Sequence, residues 1–412
     1  MFDKKTNEQL ISLMPNSPII IGEESLRHDI DDLVLLALPA MRFGIVADVN
    51  TDLAFGDKIF NALKGNFDCT HVTLADSVDA DDKAVNYIRK KTIKCDALIA
   101  VGGGTINDLC KYAAHLDGKP YIIFPTSASM NGYLSANASI TVKGHKTTLP
   151  AQLPKAVFCD FSVIASAPIR LGKSGLGDSL ARPTAQADWL LSNLLLNTAY
   201  DERPFALLTD IEPDLFDNAG GIAKNDPHTI KILMKLLLLS GIGMTLAGGS
   251  YPASQGEHMI AHSYNMLKKP SPIFKKILHG EEIAITSLYM AKRQENLLNI
   301  MPKLYSKKFE ENLIEELFGD SLMSEFKSSY AKKQDLINKH HHNLNKNNWD
   351  NIRSKIEKVI IKSQQLENIL KQSESSIIPE AIGWNDINFK IACNIARFTR
   401  DRFTFLDLEQ AN

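Results

Sequence analysis

As far as Asp160 the chain alternates short apolar runs with longer segments of mixed polar and apolar residues. The runs at 18–22 (PIIIG), 42–47 (RFGIVA), 70–75 (THVTLA), 96–101 (DALIAV) and 120–124 (PYIIF) read as buried strands. Segments such as 52–64 and 80–91 are long enough for the crossover helices that parallel strands require. The pattern predicts a parallel sheet wrapped by helices. After Asp160 the strand signals fade, and helical patterns follow at 174–197, 229–247, 254–268, 280–297, 308–330, 349–371 and 384–399. Pro168, Gly172 and Gly175 punctuate the change. The expected architecture is an α/β N-terminal domain over 1–165 and an all-α C-terminal domain over 166–412.

Two stretches depart from this pattern. Residues 236–253 (LLLLSGIGMTLAGGSYPA) carry no charge, but four glycines and Pro252 interrupt them and Lys235 stands at their head. A spanning helix takes ~20 mainly apolar residues, so the expectation is a buried helix running into a turn and no membrane span. Residues 331–348 (AKKQDLINKHHHNLNKNN) are nearly devoid of large apolar side chains and read as a solvated loop or helix junction. His340, His341 and His342 are adjacent, and consecutive helical residues point in different directions, so they do not form one metal site there.

Composition narrows the function classes. With 412 residues, 44% hydrophobic and 23% charged, the chain is an ordinary folded protein of two-domain size. Lys plus Arg number 46 against 48 Asp plus Glu, a balance that gives nucleic-acid binding no electrostatic support. The five cysteines (Cys69, Cys95, Cys110, Cys159, Cys393) are scattered and contain no CxxC pair, as in a protein with reduced thiols. No apolar stretch follows the N-terminal charges of MFDKKTNEQL, so a signal peptide is not expected and a cytoplasmic setting is.

The strongest local signal is the apolar strand 97–101 running into Gly102, Gly103 and Gly104, then Thr105-Ile106-Asn107-Asp108. Glycines let the backbone approach a ligand, and a helix start with Thr105 or a neighbour as N-cap offers N–H groups to an anion such as pyrophosphate. A tight strand–helix turn with no ligand fits the same residues, and neither GxGxxG nor a P-loop lysine is present. Asp48 closes FGIVAD, where a carboxylate can accept hydrogen bonds from a ribose diol and repel a 2′-phosphate. It precedes the glycines by 54 residues, opposite to the Rossmann order, and a plain loop aspartate is the alternative. The hydroxyl-rich segment 124–135 (FPTSASMNGYLS) follows the next strand, at the edge where open α/β sheets bind ligands.

A metal site is suggested by Asp178 in GLGD, by His258 and His262 in GEHMIAH, and by His279 in LHGEE. His258 and His262 are four apart and share a helical face. One carboxylate and two imidazoles with an open position suit a catalytic Zn²⁺, Fe²⁺ or Ni²⁺. Packing histidines are the alternative, and HxxxH is not the HExxH of zinc proteases.

Together these segments resemble the sn-glycerol-1-phosphate dehydrogenase family, bacterial branch, within the iron-containing alcohol dehydrogenase and dehydroquinate synthase-like superfamily. The motifs are VGGGTINDLCKYAA (101–114), PTSASMNGYLSANASI (125–140), SGLGDSLARPTAQADW (174–189), GEHMIAHSYNM (256–266) and LHGEEIA (278–284), in family order. From 300 onward the similarity is loose. The resemblance implies a dinucleotide-binding domain, a helical domain and an active site in the cleft between them. It places Asp178, His258 and His279 as ligands of one divalent metal (zinc, alternatively nickel or iron). It puts Gly102, Gly103, Gly104, Thr105 and Asp108 at the cofactor, with Asp48 on the adenosine ribose and Thr126 and Ser129 on the nicotinamide side. The implied reaction is NADH- or NADPH-dependent reduction of dihydroxyacetone phosphate to sn-glycerol 1-phosphate, a lipid-backbone precursor. Asp178 stands where dehydroquinate synthases carry Glu.

One departure matters. The family usually has Asp where this chain has Asn131, which keeps the size but loses charge and proton-accepting capacity. Asn131, Ser135 and Lys146 are the substrate-side candidates, Lys146 as partner of a substrate phosphate. His262 is a candidate proton donor, or else a histidine that supports a metal ligand or packs. A homo-oligomer acting on a phosphorylated triose or a polyol is expected. The rival readings are a glycerol or polyol dehydrogenase using the same triad on an unphosphorylated substrate, and a non-catalytic nucleotide-binding protein of this fold.

Overall fold

The computed structural model describes residues 4–14, 18–23, 26, 30–142, 145–267, 277–305 and 309–410. The chain forms two compact units that interleave along the sequence. One comprises Met1–Gly175 with Ala206–Gly249, the other Leu176–Phe205 with Ser250–Asn412.

The first unit is built on a sheet of six parallel strands. They are β1 (Ile19–Glu23), β2 (Arg42–Asp48), β3 (Asp68–Leu74), β4 (Ala97–Gly102), β5 (Tyr121–Pro125) and, after the antiparallel hairpin β6 (Asn137–Val142) and β7 (His145–Pro150), β8 (Ala156–Asp160). Strands β4, β5 and β8 are buried along their whole length, which is why they read as continuous apolar runs without alternation. The five expected strands are present. The strand β8 and the hairpin were not expected. AVFCD passes directly into the helix Phe161–Ser166 without a loop to set it off, and the hairpin strands are rich in Ser and Thr and give no apolar run.

The sheet order is β1-β8-β5-β4-β2-β3. From β2 the chain moves outward to β3, whereas from β4 it moves the opposite way to β5. The carboxyl ends of β2 and β4 therefore flank the topological switch point, where open α/β sheets bind ligands. Asp48 and Gly102 occupy those two ends, two residues beyond the paired Val46 and Ala100.

Seven helices carry the rest of the argument: α1 (Gly104–Leu116), α2 (Ile169–Ser179), α3 (Ala181–Leu196), α4 (Pro227–Leu246), α5 (Gly256–Leu267), α6 (His279–Leu298) and α7 (Asp320–His340). Helix α4 contains the first part, 236–246, of the uncharged segment 236–253. Asp226 caps it, Pro227 opens it, and its apolar stretch is 78% buried inside the protein. It ends in a turn at Gly248, whose φ of +66° lies in the left-handed region glycine tolerates.

The second unit is mainly helical, not all-α, since Pro302–Leu304 and Leu408–Gln410 pair as a short antiparallel sheet, and its core includes Leu191, Met259, Ile260, Ile283, Met290, Trp349 and Trp384. Residues 331–348 depart from expectation: α7 runs through His340, a single 3₁₀ turn covers His341–Asn343, and only the end of the stretch is a junction. The helix persists there because Lys333 and Ile337 are buried on its inner side, with the Lys333 ammonium 2.7 Å from Asp407. None of the five cysteines is paired.

Candidate active site

The glycine turn joins β4 to α1, with Gly103 as the N-cap and no side chain capping the helix. Its first-turn N–H groups are those a helix start presents to an anion. Thr105 lies in that first turn. The glycines also answer to internal packing: a Cβ on Gly104 would come within 2.8 Å of the Met130 side chain. Asp48 caps the short helical turn after β2, accepting the Thr51 N–H on Oδ1 at 2.9 Å. The fold thus brings Asp48 and the glycine turn to adjacent strand ends despite the 54 residues between them.

Asp108 faces inward. Its Oδ2 accepts the Ser139 N–H at 3.0 Å, and Oδ1 lies 3.5 Å from the buried Lys111 ammonium. That ammonium also donates to the carbonyls of Gly132 and Asn137, at 2.7 and 2.9 Å. Burial pushes the Lys111 pKa below its ordinary value, and Asp108 opposes the shift. The pair clasps the loop that follows β5 onto α1. Within this loop Thr126 is buried and donates its N–H to Gly102, and Ser129 receives the Ser127 hydroxyl at 3.1 Å. The Ser135 hydroxyl is within donating distance of the carbonyls of Gly132 and Asn137. Asn131 is half-buried at the start of the 3₁₀ turn Gly132–Leu134. Lys146 pairs with Thr141 on the β6–β7 hairpin, and its side chain lies outside the described residues.

The helical unit gathers Asp178, His258 and His279. Asp178 Oδ1 lies 3.9 Å from Nε2 of each histidine, and the two Nε2 atoms are 3.3 Å apart. Asp178 sits near the end of α2, His258 near the start of α5 and His279 at the first residue of α6. The close crossing of α2 and α6 depends on Gly177, since a Cβ there would overlap the Gly280 carbonyl. Metal–ligand bonds of ~2.1 Å give tetrahedral edges of about 3.4 Å, so donors at these separations can enclose one ion.

The residues around the triad orient it. Glu257 is fully buried and its Oε1 lies 2.9 Å from His258 Nδ1. A carboxylate on Nδ1 draws the imidazole proton there and leaves the Nε2 lone pair directed at the triad. Glu257 is itself fixed by the Gln255 N–H at 2.7 Å and the Thr184 hydroxyl at 3.2 Å. Beneath it Asp188 accepts N–H groups of Gly256 and Phe405, both at 3.0 Å. Burial, reinforced by Glu257, pushes the Asp188 pKa up to about 8.

His262 is not among the three converging donors. Its ring centroid is 6.0 Å from that of His258 and 6.2 Å from that of His279, and Nδ1 lies 3.1 Å from the Arg400 guanidinium. A guanidinium only donates, so Nδ1 is the acceptor and the imidazole proton resides on Nε2. A second grouping, Asp52, Asp57 and His71, is of another kind. His71 and Asp52 pair at 2.7 Å and Thr73 donates to Asp52 at 2.8 Å, so those two side chains satisfy one another, while Asp57 is exposed.

Sequence reading did not identify Glu257, Asp188 or Arg400. The first two carry a recoverable signal, an acid directly before a ligand histidine and a helical Asp among small residues. Arg400 stands 138 residues beyond His262, and no local pattern links them.

The iron-containing alcohol dehydrogenase family model matches residues 21–168. The chain is 32% identical over 274 residues to the glycerol-1-phosphate dehydrogenase (NAD(P)+) of Pyrococcus furiosus, covering 66% of this chain and 77% of that protein. The chain belongs to the glycerol-1-phosphate dehydrogenase family. A Bacillus velezensis member is 36% identical over 247 residues, which cover 58% of this chain and 62% of that protein. Among solved structures, a probable glycerol dehydrogenase from Sinorhizobium meliloti covers 95% of this chain at a TM-score of 0.57 and 18% identity, with 91% of that chain covered. Maleylacetate reductase from Rhizobium sp. strain MTP-10005 has a TM-score of 0.59 at 15% identity, covering 92% of this chain and 89% of its own. These two share the family's fold.

Proposed function

We propose that the chain reduces dihydroxyacetone phosphate to sn-glycerol 1-phosphate with NADH or NADPH, using one divalent metal held by Asp178, His258 and His279. The observation that carries this reading is the convergence of one carboxylate and two imidazole Nε2 atoms at 3.3–3.9 Å, in a member of this family. The N, N, O donor set suits zinc, with nickel or iron as alternatives. When bound, the ion supplies Lewis acidity and the dihydronicotinamide supplies a hydride for the carbonyl carbon.

The chain's own residues prepare the site. Glu257 sets the His258 tautomer, and the rigid crossing of α2 and α6 sets the distance from Asp178 to His279. His262, its Nδ1 engaged by Arg400, offers its Nε2–H as a hydrogen-bond donor toward the carbonyl oxygen, and the proton that completes the alcohol comes from water. The uncapped start of α1 receives the pyrophosphate and Asp48 the ribose, with Thr126 and Ser129 on the nicotinamide side and Asn131 toward the substrate. Five unpaired thiols support a cytoplasmic setting.

The test is NADH oxidation by metal-reconstituted protein, with dihydroxyacetone phosphate and dihydroxyacetone side by side. Turnover of the phosphate at far higher kcat/KM is expected. Turnover of dihydroxyacetone alone would instead make the chain a polyol dehydrogenase, with Asn131 the first residue to examine.

A further inference from the structure

Arg400 and Arg402 lie on the segment that follows the last helix of the second unit, Arg400 against His262 and both against Ser254. Arg400 donates to His262 Nδ1 at 3.1 Å and to the Ser254 hydroxyl at 3.5 Å. Arg402 donates to the Ser254 carbonyl and, at 3.1 Å, to the Ser250 hydroxyl, and its guanidinium stacks 4.3 Å above the Tyr251 ring. Both are half-buried. All these partners are neutral. Glu257 and Asp401 act on both arginines electrostatically, yet among the described residues no carboxylate comes within ion-pair distance of either.

Two guanidinium groups cannot shed their charge at neutral pH, and holding them together in a desolvated place without a counter-charge is costly. Burial lowers the pKa of both, and the neighbouring Arg400 charge adds to the effect on Arg402. Each guanidinium has five N–H donors, of which the contacts above engage only some. The remaining donors of such a pair are available to an anion with several acceptor oxygens. A phosphomonoester dianion matches both the charge and the fork geometry. His262 contacts Arg400 and its ring lies 6.0 and 6.2 Å from those of His258 and His279, and in a triose phosphate only one carbon and one oxygen separate the carbonyl carbon from phosphorus.

Resting on the reading of the triad given above, we infer that Arg400 and Arg402 form an oxyanion subsite for the substrate phosphate and set the preference for a phosphorylated over a free triose.

The experiment uses the full, metal-loaded chain and its R400Q, R402Q and R400K variants, with melting temperatures to verify folding. Inorganic phosphate is titrated calorimetrically, and kcat/KM is measured for dihydroxyacetone phosphate and dihydroxyacetone. Loss of one charge-assisted contact should weaken phosphate binding about tenfold or more in R400Q and R402Q, with partial retention in R400K. The preference for the phosphorylated triose should fall about 30-fold, mainly through KM. Phosphate binding equal in wild type and both Gln variants would overturn the subsite, as would an unchanged preference. Wild-type protein that turns over neither triose would defeat the proposed reaction while the phosphate titration still decides the arginines. Normal reduction of dihydroxyacetone phosphate with an unaltered preference in R400Q and R402Q would defeat the arginine subsite alone.

Discussion

His258 Nδ1 lies 2.9 Å from Glu257 Oε1, so each residue of this adjacent pair fixes the other's role. If the pair prepares a metal ligand, Glu257→Gln should weaken zinc affinity about 10- to 100-fold. The side chain keeps its shape but no longer favours the Nδ1 tautomer through its charge. Competition with a chromophoric chelator measures this directly. Affinity within twofold of wild type would detach Glu257 from the site.

Gly177 holds α2 against the Gly280 backbone. Gly177→Ala should destabilise the protein by about 1–3 kcal/mol through overpacking and loosen the metal by separating Asp178 from His279. Asp178→Asn is the complementary variant, expected to abolish metal binding and turnover while NADH still binds. Loss of NADH binding in folded Asp178→Asn protein would contradict that division of labour. An unaltered melting temperature in Gly177→Ala would mean the two helices have room to move apart.

Asp48 stands at the switch point beside the glycine turn. A carboxylate there favours a ribose diol over a 2′-phosphate. Asp48→Ser should therefore shift selectivity toward NADPH by about tenfold or more, a difference of ~1.4 kcal/mol. The ratio of kcat/KM values for the two cofactors checks it, and an unchanged ratio would remove Asp48 from the cofactor site.

Asp188 provides a pH test. Its folded pKa is raised to about 8 by burial and by Glu257, against ~3.9 for an unfolded aspartate. The folded state therefore holds a proton that the unfolded state has released. The stability from this group is full below about pH 4 and is lost as pH rises through about 8. Asp188→Asn cannot titrate, so the stability of wild type relative to this variant should fall between pH 5 and pH 9 in urea unfolding. A constant difference would show that Asp188 is ionised at both pH values.

Much of this protein was legible in its sequence. The strands β2, β4 and β5 are buried, so each appears as an apolar run, and the helix α4 announces itself by length and lack of charge. The three candidate metal ligands stand in glycine- and acid-marked motifs that can be picked out singly. The strand β8 escaped because it passes at Asp160 straight into the helix Phe161–Ser166 with no intervening loop, and the persistence of α7 because its inward residues are a lysine and an isoleucine in a polar stretch.

What the sequence alone determined was most of the parts: the five apolar strands, the main helices, and which residue types could ligate a metal or approach a phosphate. Local periodicity and residue chemistry suffice for that. Only the tertiary structure decided which parts meet. Sheet order brought Asp48 to the glycine turn, and a helix crossing permitted by Gly177 brought Asp178 to His279. The return of the C-terminal segment set Arg400 against His262, 138 residues away in the chain. These meetings are fixed by packing between elements distant in sequence, and local pattern carries no record of such distances.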